Sequence, residues 1–324
     1  MSKYIGDLSL EKLKAYKPDL NSKPLDFDTF WHEEKVKLNQ VQFNVTEKVI
    51  DYPVKSVEAY ELQFTSWDGT PMKGIVVKPK SNNPVPLLIS FHGYTGSRGL
   101  VADYLKWCTL GCAVISFDVR GQGDSPDYAK YTHGSRVQSW MVKGIYHHDN
   151  YYYTNVYRDI LVQLRWIFSE HFLFDVKEVG AIGASQGGGL ALVAAALEEK
   201  IEFVISDWPF LTYFDHALQM ASEGPYVDIV EFLKWNDPEN KKLGDILKTL
   251  NYVDVLHFCH KVKQPALMAV GLEDAVTPPS TIFATYNHLK SKEKKIFIYP
   301  QYGHEIINDH EEKKIAFVAE QISQ

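Results

Sequence analysis

Short apolar runs alternate with helical stretches along most of this chain. Helical patterns occur at about Val101–Thr109, Val156–Glu170, Gly188–Glu198 and Ser280–Leu289. Six apolar runs are continuous, as strands covered on both faces require: Leu87–Phe91, Ala113–Phe117, Val179–Ala184, Phe203–Ile205, Ala266–Val270 and Ile296–Tyr299. This alternation predicts the α/β class, with a mostly parallel central sheet and helices on both faces.

The first part of the chain precedes this alternating pattern. Leu8–Leu13 indicates a short helix and Asp26–Gln40 a second one. We therefore expect residues 1–50 to form an N-terminal helical arm, laid on the core or on a neighbouring subunit. A strand that begins at Val57 is expected to form a hairpin with Met72–Val77.

Two segments, 125–153 and 209–252, do not fit the alternation. We interpret them as insertions at the edge of the sheet where a site would lie. No change in composition separates them from the rest, so residues 1–324 are interpreted as one domain. The arm carries Trp31 and the first insertion carries Trp140 and three consecutive tyrosines, 151–153. So much aromatic surface must pack on the core or on another subunit, and aromatic enrichment suits a subunit interface.

Composition narrows the class of protein. Of the 324 residues, 45% are apolar and 23% are charged, which is typical of a soluble globular protein. The formal charge of −7 gives no support for a nucleic-acid partner. Residues 1–10 lack the apolar core of a signal peptide, and no apolar run approaches ~18 residues, so no membrane partner is expected. Three cysteines without metal-like spacing, Cys108, Cys112 and Cys259, favour a cytoplasmic protein with reduced thiols.

Gly183-Ala184-Ser185-Gln186-Gly187 has the Gly-x-Ser-x-Gly pattern of a nucleophile elbow. An apolar strand before it and an Ala/Leu-rich helix after it supply the required context. Gly183 and Gly187 lack the Cβ atoms that would collide across so tight a turn. Ser185 would then lie at a helix N-terminus, where unpaired N–H groups favour an oxyanion. The alternative is a glycine-rich loop with a helix-capping serine.

The partners of a serine nucleophile follow it along the chain in this kind of fold, first an acid and then a histidine. Asp274 lies in the loop after the fifth apolar run, and His304 lies in the loop after the sixth. His304 is the predicted base, and Asp274 would fix its tautomer. Glu273 is the competing acid. Asp245 and Asp254 are interpreted as surface or capping residues.

An oxyanion hole needs two donors, and we expect both to be backbone N–H groups. One belongs to Gln186, after the nucleophile, and the other to Tyr94, in the loop after the first apolar run. His92 is interpreted as a structural residue beside that loop. The adjacent pair His147-His148 cannot place both imidazoles on one helix face, and serine hydrolysis needs neither a metal nor a cofactor. We therefore expect none.

Three motifs together resemble the signatures of carbohydrate esterase family 7, which contains acetyl xylan esterases and cephalosporin-C deacetylases. They are Arg120-Gly121-Gln122, Gly183 to Gly187, and His304-Glu305. The similarity extends over nearly the whole chain, through stretches such as Tyr16-Lys17-Pro18, Trp140 to Ile145 and Tyr286 to Leu289. Local departures occur at Gly123 to Pro126 and at Trp208-Pro209.

The resemblance implies an α/β-hydrolase fold and a serine esterase that removes acetyl groups from small acetylated sugars or cephalosporin-type compounds. It assigns Ser185 as the nucleophile, completes the triad with Asp274 and His304, and places Tyr94 in the substrate and oxyanion site. It also implies a cytoplasmic homo-oligomer, a hexamer whose active sites face an internal cavity. The alternatives are a peptidase or other acyl hydrolase on the same fold, and a non-catalytic binding module.

Arg120 has no place in Ser-His-Asp chemistry, although it directly follows a buried strand. We expect it, with Gln122, to have a structural role near the site. Its five donors would tie loops together through an acid such as Glu305.

Overall fold

The computed structural model describes residues 7–323. Within that range, strands form one sheet in the order β1-β2-β3-β5-β4-β6-β7-β8-β9. Their bounds are β1 Val45–Ile50, β2 Val57–Thr65, β3 Pro71–Pro79, β4 Val85–Phe91, β5 Ala113–Phe117, β6 Val176–Ala184, β7 Phe203–Asp207, β8 Ala266–Gly271 and β9 Lys294–Tyr299. Strands β1 to β3 pair antiparallel, as does β3 with β5, and the remaining pairs are parallel. The six continuous apolar runs are the parallel strands, which confirms the predicted sheet.

Helices cover both faces of this sheet. They are α1 Leu10–Ala15, α2 Phe27–Leu38, α3 Val101–Thr109, α4 Tyr152–Ile167, α5 Gln186–Leu197, α6 Phe214–Met220, α7 Pro225–Asn236, α8 Leu243–Asn251, α9 Val255–Phe258, α10 Pro279–His288 and α11 Asn308–Ile322. Successive side chains of a strand point to opposite faces. Leu88 accordingly packs in a cluster with residues of α3 and α11, whereas Leu87 and Ile89 pack with residues of α4 and α5. Strands buried on both faces must be apolar throughout, which explains the continuous runs.

The N-terminal arm differs from its prediction in one element. Helices α1 and α2 lie where expected, but the arm ends in an edge strand, β1, which pairs with β2. The sequence of β1 is Val-Thr-Glu-Lys-Val-Ile, and its four central residues are exposed. Charged residues on an edge strand discourage pairing with other chains. Because these residues are exposed, the strand has no apolar pattern by which the sequence could predict it.

The aromatic residues outside the sheet are buried within this chain. Phe27 and Trp31 are 0% and 1% exposed, and Tyr151–Tyr153 are fully buried. The Trp31 indole N–H donates to the carbonyl of Tyr252, which fixes α2 on the helical layer. The expectation that this aromatic surface forms a subunit interface is therefore wrong for these residues, because their own core covers them.

Both predicted insertions reach the loops at the carboxyl ends of the parallel strands. Segment 125–153 contacts the loop after β4, where Ser139 Oγ lies 3.0 Å from the Tyr94 hydroxyl. Segment 209–252 contains α6, α7 and α8, and its Ser222 and Glu223 N–H groups donate to the carbonyl of Ala275, in the loop after β8. Among residues 7–323, no helix is both long enough and apolar enough to cross a membrane.

Candidate active site

Ser185 occupies a tight turn between β6 and α5. Its backbone has φ 58° and ψ −123°, a conformation that strains a residue with a side chain and is typical of a nucleophile elbow. A Cβ on Gly183 would lie 2.3 Å from the backbone of Gly187, and one on Gly187 would lie 2.0 Å from the carbonyl oxygen of Phe91. Only glycine fits at these two positions, in agreement with the interpretation of the motif.

Three side chains from separate strand ends meet at this turn. His304 Nε2 lies 2.8 Å from Ser185 Oγ, and His304 Nδ1 lies 2.8 Å from Asp274 Oδ2. When the imidazole is neutral, Nδ1–H donates to the carboxylate and Nε2 is left to accept the serine proton. The structure therefore brings together the three residues that the chain order predicts, in the arrangement that a serine nucleophile needs.

The carboxylate of Asp274 is held by several hydrogen-bond donors. Asp274 is 0% exposed, and its Oδ1 accepts from the backbone N–H groups of Val276 and Thr277 at 2.9 and 2.8 Å. Its Oδ2 also accepts from the Thr277 hydroxyl at 2.8 Å. These bonds compensate for the lost hydration of the carboxylate and fix its rotation. The sequence alone does not single out Thr277, because a hydroxyl three residues after an acid is too common a pattern.

The loop after β4 is fixed through the peptide that joins Gly93 to Tyr94. The carbonyl of Gly93 accepts from His92 Nδ1 at 2.7 Å and from the N–H of Gly96 at 3.0 Å. In a trans peptide the N–H points opposite to the carbonyl. These two bonds therefore direct the Tyr94 N–H, the candidate oxyanion donor, away from His92. This loop lies against the elbow, since a Cβ on Gly93 would be 3.9 Å from the carbonyl oxygen of Ala184.

His92 has structural contacts beside the loop after β4, as its position in the sequence suggests. Its Nε2 accepts from the backbone N–H of Val119, at 2.8 Å, so the proton must reside on Nδ1. Burial lowers the pKa of His92, although its bond to Gly93 and the charge of Asp118 act in the other direction. The His92 imidazole therefore stays neutral over the pH range in which a histidine base is active, and both of its hydrogen bonds persist.

Gln122 and Gln186 connect the oxyanion loop to the buried tyrosines. The two side-chain amides pair with each other at 3.0 and 3.2 Å. Gln122 Oε1 also accepts from the N–H of Thr95, and Gln186 Oε1 accepts from the Tyr153 hydroxyl at 2.9 Å. Tyr153, the last of the three consecutive tyrosines, thus holds the side chain of Gln186, the residue after the nucleophile.

Arg120 is fully buried, but its partners differ from the expected one. Its guanidinium donates two bonds to Asp159, at 2.7 and 2.6 Å, two to Asp68 and one to Asp127. Burial alone would lower the pKa of Arg120, but these carboxylates outweigh it and raise the pKa above its ordinary value. Glu305 instead bonds the N–H of Gly303, within the exposed loop after β9. Arg120 therefore ties loops together through acids, as expected, but the acids are Asp68, Asp127 and Asp159 rather than Glu305.

Aromatic rings form the walls around the candidate site. The Tyr94 ring meets Trp140 edge-on at 5.2 Å and Phe210 at 6.3 Å between ring centres. On the other side the Trp208 ring lies 6.4 Å from that of His304.

The remaining candidates have structural positions. Asp254 caps α9 by accepting from the N–H of Leu256, as expected of a capping residue. Asp245 lies in the first turn of α8. His148 stacks on Tyr252 with ring centres 3.8 Å apart. Across the part of the chain that the structure describes, no group of three or more His, Cys, Asp or Glu side chains is arranged to hold a metal ion.

A parallel sheet that carries a serine on a strand-to-helix elbow, with an acid and a histidine after the following strands, defines the α/β-hydrolase class. A cold-adapted esterase from an Arctic intertidal metagenomic library shares this fold, with a TM-score of 0.58 and 15% sequence identity. The chain belongs to the acetyl xylan esterase (AXE1) family, whose sequence profile matches residues 3–321. It is thus a carboxylic ester hydrolase of the α/β-hydrolase fold.

Individual relatives agree with this membership. The acetyl xylan esterase from Paenibacillus sp. R4 is 37% identical, with a TM-score of 0.91 over 96% of this chain and 99% of that one. Acetyl xylan esterase 1 from Thermoanaerobacterium sp. JW/SL YS485 is 32% identical, with a TM-score of 0.89 over 97% and 99% of the two chains. The acetyl esterase Axe7A of Xylanibacter ruminicola is 24% identical over 93% of this chain, which spans 66% of that longer protein.

Proposed function

We propose that this chain is a serine esterase that deacetylates small acetylated carbohydrates, such as acetylated xylo-oligosaccharides, through an acetyl-enzyme on Ser185. The observation that carries the proposal is the continuous series of hydrogen bonds from Ser185 Oγ through His304 to Asp274 at a strained elbow. Membership in the acetyl xylan esterase family and the names of the relatives support acetyl as the acyl group. Cephalosporin C is the second substrate to test, because of the resemblance to deacetylases of that compound.

In the proposed reaction, Ser185 Oγ attacks the acetyl carbonyl carbon while its proton passes to His304 Nε2. The resulting oxyanion accepts hydrogen bonds from the N–H groups of Tyr94 and Gln186, the second of which belongs to the first turn of α5. The tetrahedral intermediate collapses, the C–O bond to the sugar breaks, and His304 returns the proton to the departing hydroxyl. Water activated by the same histidine then hydrolyses the acetyl-enzyme to acetate and free Ser185.

The proposed protein is a cytoplasmic homo-oligomer without metal or cofactor. The family resemblance is the support for a hexamer whose sites face an internal cavity. The cysteines Cys108, Cys112 and Cys259 are unpaired and buried, which suits a reducing compartment. Light scattering should give a species several times the 37.1 kDa subunit mass. A monomer with full activity on insoluble acetylated xylan would contradict both the assembly and the enclosed sites.

The proposed substrate class is tested by measuring acetate release from acetylated xylo-oligosaccharides and cephalosporin C, beside p-nitrophenyl acetate, p-nitrophenyl butyrate and a peptide nitroanilide. Acetyl esters should be hydrolysed fastest, as expected of a member of the acetyl xylan esterase family. Ser185→Ala should lose the activity and keep the fold, since loss of one half-buried turn hydroxyl removes little packing. Faster cleavage of the nitroanilide than of the acetate would instead identify a peptidase.

A further inference from the structure

A second aspartate–histidine pair lies buried beside the first. Asp207 ends β7 and His310 lies in the first turn of α11. His310 Nε2 lies 2.7 Å from Asp207 Oδ1, and the two residues are 0% and 1% exposed. Neither residue takes part in the proposed reaction. Burying two polar groups so completely is costly unless hydrogen bonds satisfy them, so their partners are informative.

The pair belongs to a chain of hydrogen bonds whose donors point toward the Asp207 carboxylate. Asp207 Oδ2 lies 3.1 Å from Lys314 Nζ, and the Tyr299 hydroxyl lies 3.1 Å from His310 Nδ1. Burial alone would raise the pKa of Asp207, but Lys314 and His310 outweigh it and the pKa is lowered. The ionised carboxylate accepts, so His310 Nε2–H donates to it, and when the imidazole is neutral Nδ1 is left to accept from the Tyr299 hydroxyl. This is the opposite tautomer to the one that His304 adopts beside Asp274.

The end of β7 also contacts every segment that carries a member of the proposed triad. The carbonyl of Asp207 accepts from the N–H of Ser185 at 2.9 Å. The carbonyl of the next residue, Trp208, lies 3.4 Å from the Thr277 hydroxyl, which bonds Asp274. The Trp208 ring lies between the two histidines, 6.4 Å from His304 and 6.3 Å from His310.

His304 itself is carried by a loop between β9 and α11, residues 300–307, which we call the histidine loop. Much of this loop is solvated, and Ile306 is 77% exposed. At its start, the carbonyl of Tyr302 accepts from the N–H of Glu273. At its end, His310 binds Asp207. Together with the bond from His304 to Asp274, these attachments near both ends of the loop restrict where the His304 side chain lies.

We propose that Asp207 and His310 are a positioning pair, in which the Asp207 carboxylate holds the end of the histidine loop while its main-chain carbonyl holds Ser185. One residue thereby sets the separation between the nucleophile and its base. A displacement of about 1 Å at such a contact can reduce turnover by about a hundredfold. The inference rests on the proposed triad.

The test replaces His310 in two ways in the full-length protein. His310→Leu has similar volume but cannot donate to Asp207, and kcat for p-nitrophenyl acetate should fall about ten- to a hundredfold with KM within about twofold. His310→Gln restores an N–H near the position of Nε2 and should recover most of kcat. The rate at which a fluorophosphonate labels Ser185 should fall with kcat, because both depend on the approach of His304.

Lys106→Met, on α3, is the matched control, because it removes the ion pair that Lys106 forms with Glu311 of α11 and leaves Asp207 untouched. It should keep kcat within about twofold even if thermal stability falls. Folded His310→Leu with wild-type kcat, or equal losses in the leucine and glutamine variants, would overturn the proposal. If His310→Leu does not fold, Asp207→Asn carries the test: kcat should fall several-fold at unchanged KM, and an unchanged kcat overturns the pairing. Labelling of the wild-type protein at a residue other than Ser185 would mean that the triad, rather than the positioning pair, is wrong.

Discussion

At the scale of one residue, the position of Asp274 requires a side chain that only accepts hydrogen bonds. Its Oδ2 holds His304 Nδ1, while Thr277 and Val276 donate to the same carboxylate. Because the surrounding groups are donors, only an acceptor fits this position. An amide would turn its NH2 toward one of them and would favour the wrong imidazole tautomer.

We therefore expect Asp274→Asn to lower kcat for p-nitrophenyl acetate by about three to four orders of magnitude, by analogy with the triad of serine proteases. KM should change little, because the carboxylate is buried beneath the histidine. Glu273→Gln is the control and should retain most of kcat. A larger loss in Glu273→Gln than in Asp274→Asn would show that the acid has been assigned to the wrong neighbour.

His92 affects the proposed oxyanion hole through a peptide bond beside it. His92→Ala removes one of the two bonds that hold the Gly93 carbonyl, so the Tyr94 N–H can turn away. We expect kcat to fall about ten- to a hundredfold, less than the loss of a whole oxyanion donor, with KM nearly unchanged. The exposed His171→Ala serves as control. A loss confined to KM would mean that His92 acts on substrate binding instead.

The sequence predicts the proposed reacting groups of this site better than the groups that orient them. Ser185, Asp274 and His304 each follow a recognisable strand, and their order along the chain is informative. Thr277, Asp207 and His310 carry no such pattern, because a contact between the ends of different elements depends on how the strands are ordered in the sheet. Arg120 illustrates the same limit: its structural role was predicted from its position, but not the identity of its partners.

At the scale of elements, Arg120 joins three parts of the fold. It binds Asp68 in the turn between β2 and β3, Asp127 in the first insertion and Asp159 in α4. Burial raises the pKa of Asp159, and the charge of Arg120 acts against it. The elements are thus fastened to one another at a buried point, where removal of one charge leaves the others uncompensated.

We expect Arg120→Met to lower the free energy of unfolding by about 3–5 kcal/mol, because buried carboxylates lose their counterion. The thermal unfolding midpoint should fall together with activity. Lys55→Met is the control, since its ion pair with Asp51 is exposed and should contribute less than about 1 kcal/mol. An Arg120→Met protein with normal stability but no activity would indicate a direct contact with substrate.

Elements differ in how visible they are in the sequence. The six apolar runs predict the parallel strands, of which β4, β5, β7 and β8 are buried along nearly their whole length. Strand β1 has four exposed central residues and was missed, because it gains its order from pairing with β2 rather than from burial. The aromatic residues of the arm were recognised as buried surface, but the pattern alone could not distinguish the chain's own core from a partner.

At the scale of the whole molecule, buried histidines make stability depend on pH. Burial, assisted by nearby Lys23, lowers the pKa of His257 from 6.5 to about 3. The unfolded chain therefore binds a proton at His257 below about pH 6.5 that the folded chain does not bind. Its effect is absent above that pH, and stability is lost as the pH falls from about 6.5 toward 3.

Between pH 7 and pH 5 this one group should cost the wild-type protein about 2 kcal/mol of unfolding free energy. His257→Gln can still donate to Asn251, the partner of His257 Nε2, but it does not titrate. Denaturant unfolding of both proteins should therefore show a smaller loss for His257→Gln over this range. Parallel curves for the two proteins would mean that His257 is protonated in the folded state.

The central claim is that Ser185, activated by His304 and Asp274, forms the acyl-enzyme of an acetyl esterase. Mass spectrometry of the protein after titration with a fluorophosphonate, with acetate release measured in parallel, tests it most directly. The account predicts one adduct per chain, located on Ser185, and activity that declines in proportion to labelling. Acetylated xylo-oligosaccharide should slow the labelling because it occupies the same site. Full activity in a completely labelled protein, or an adduct on another residue, would contradict the account.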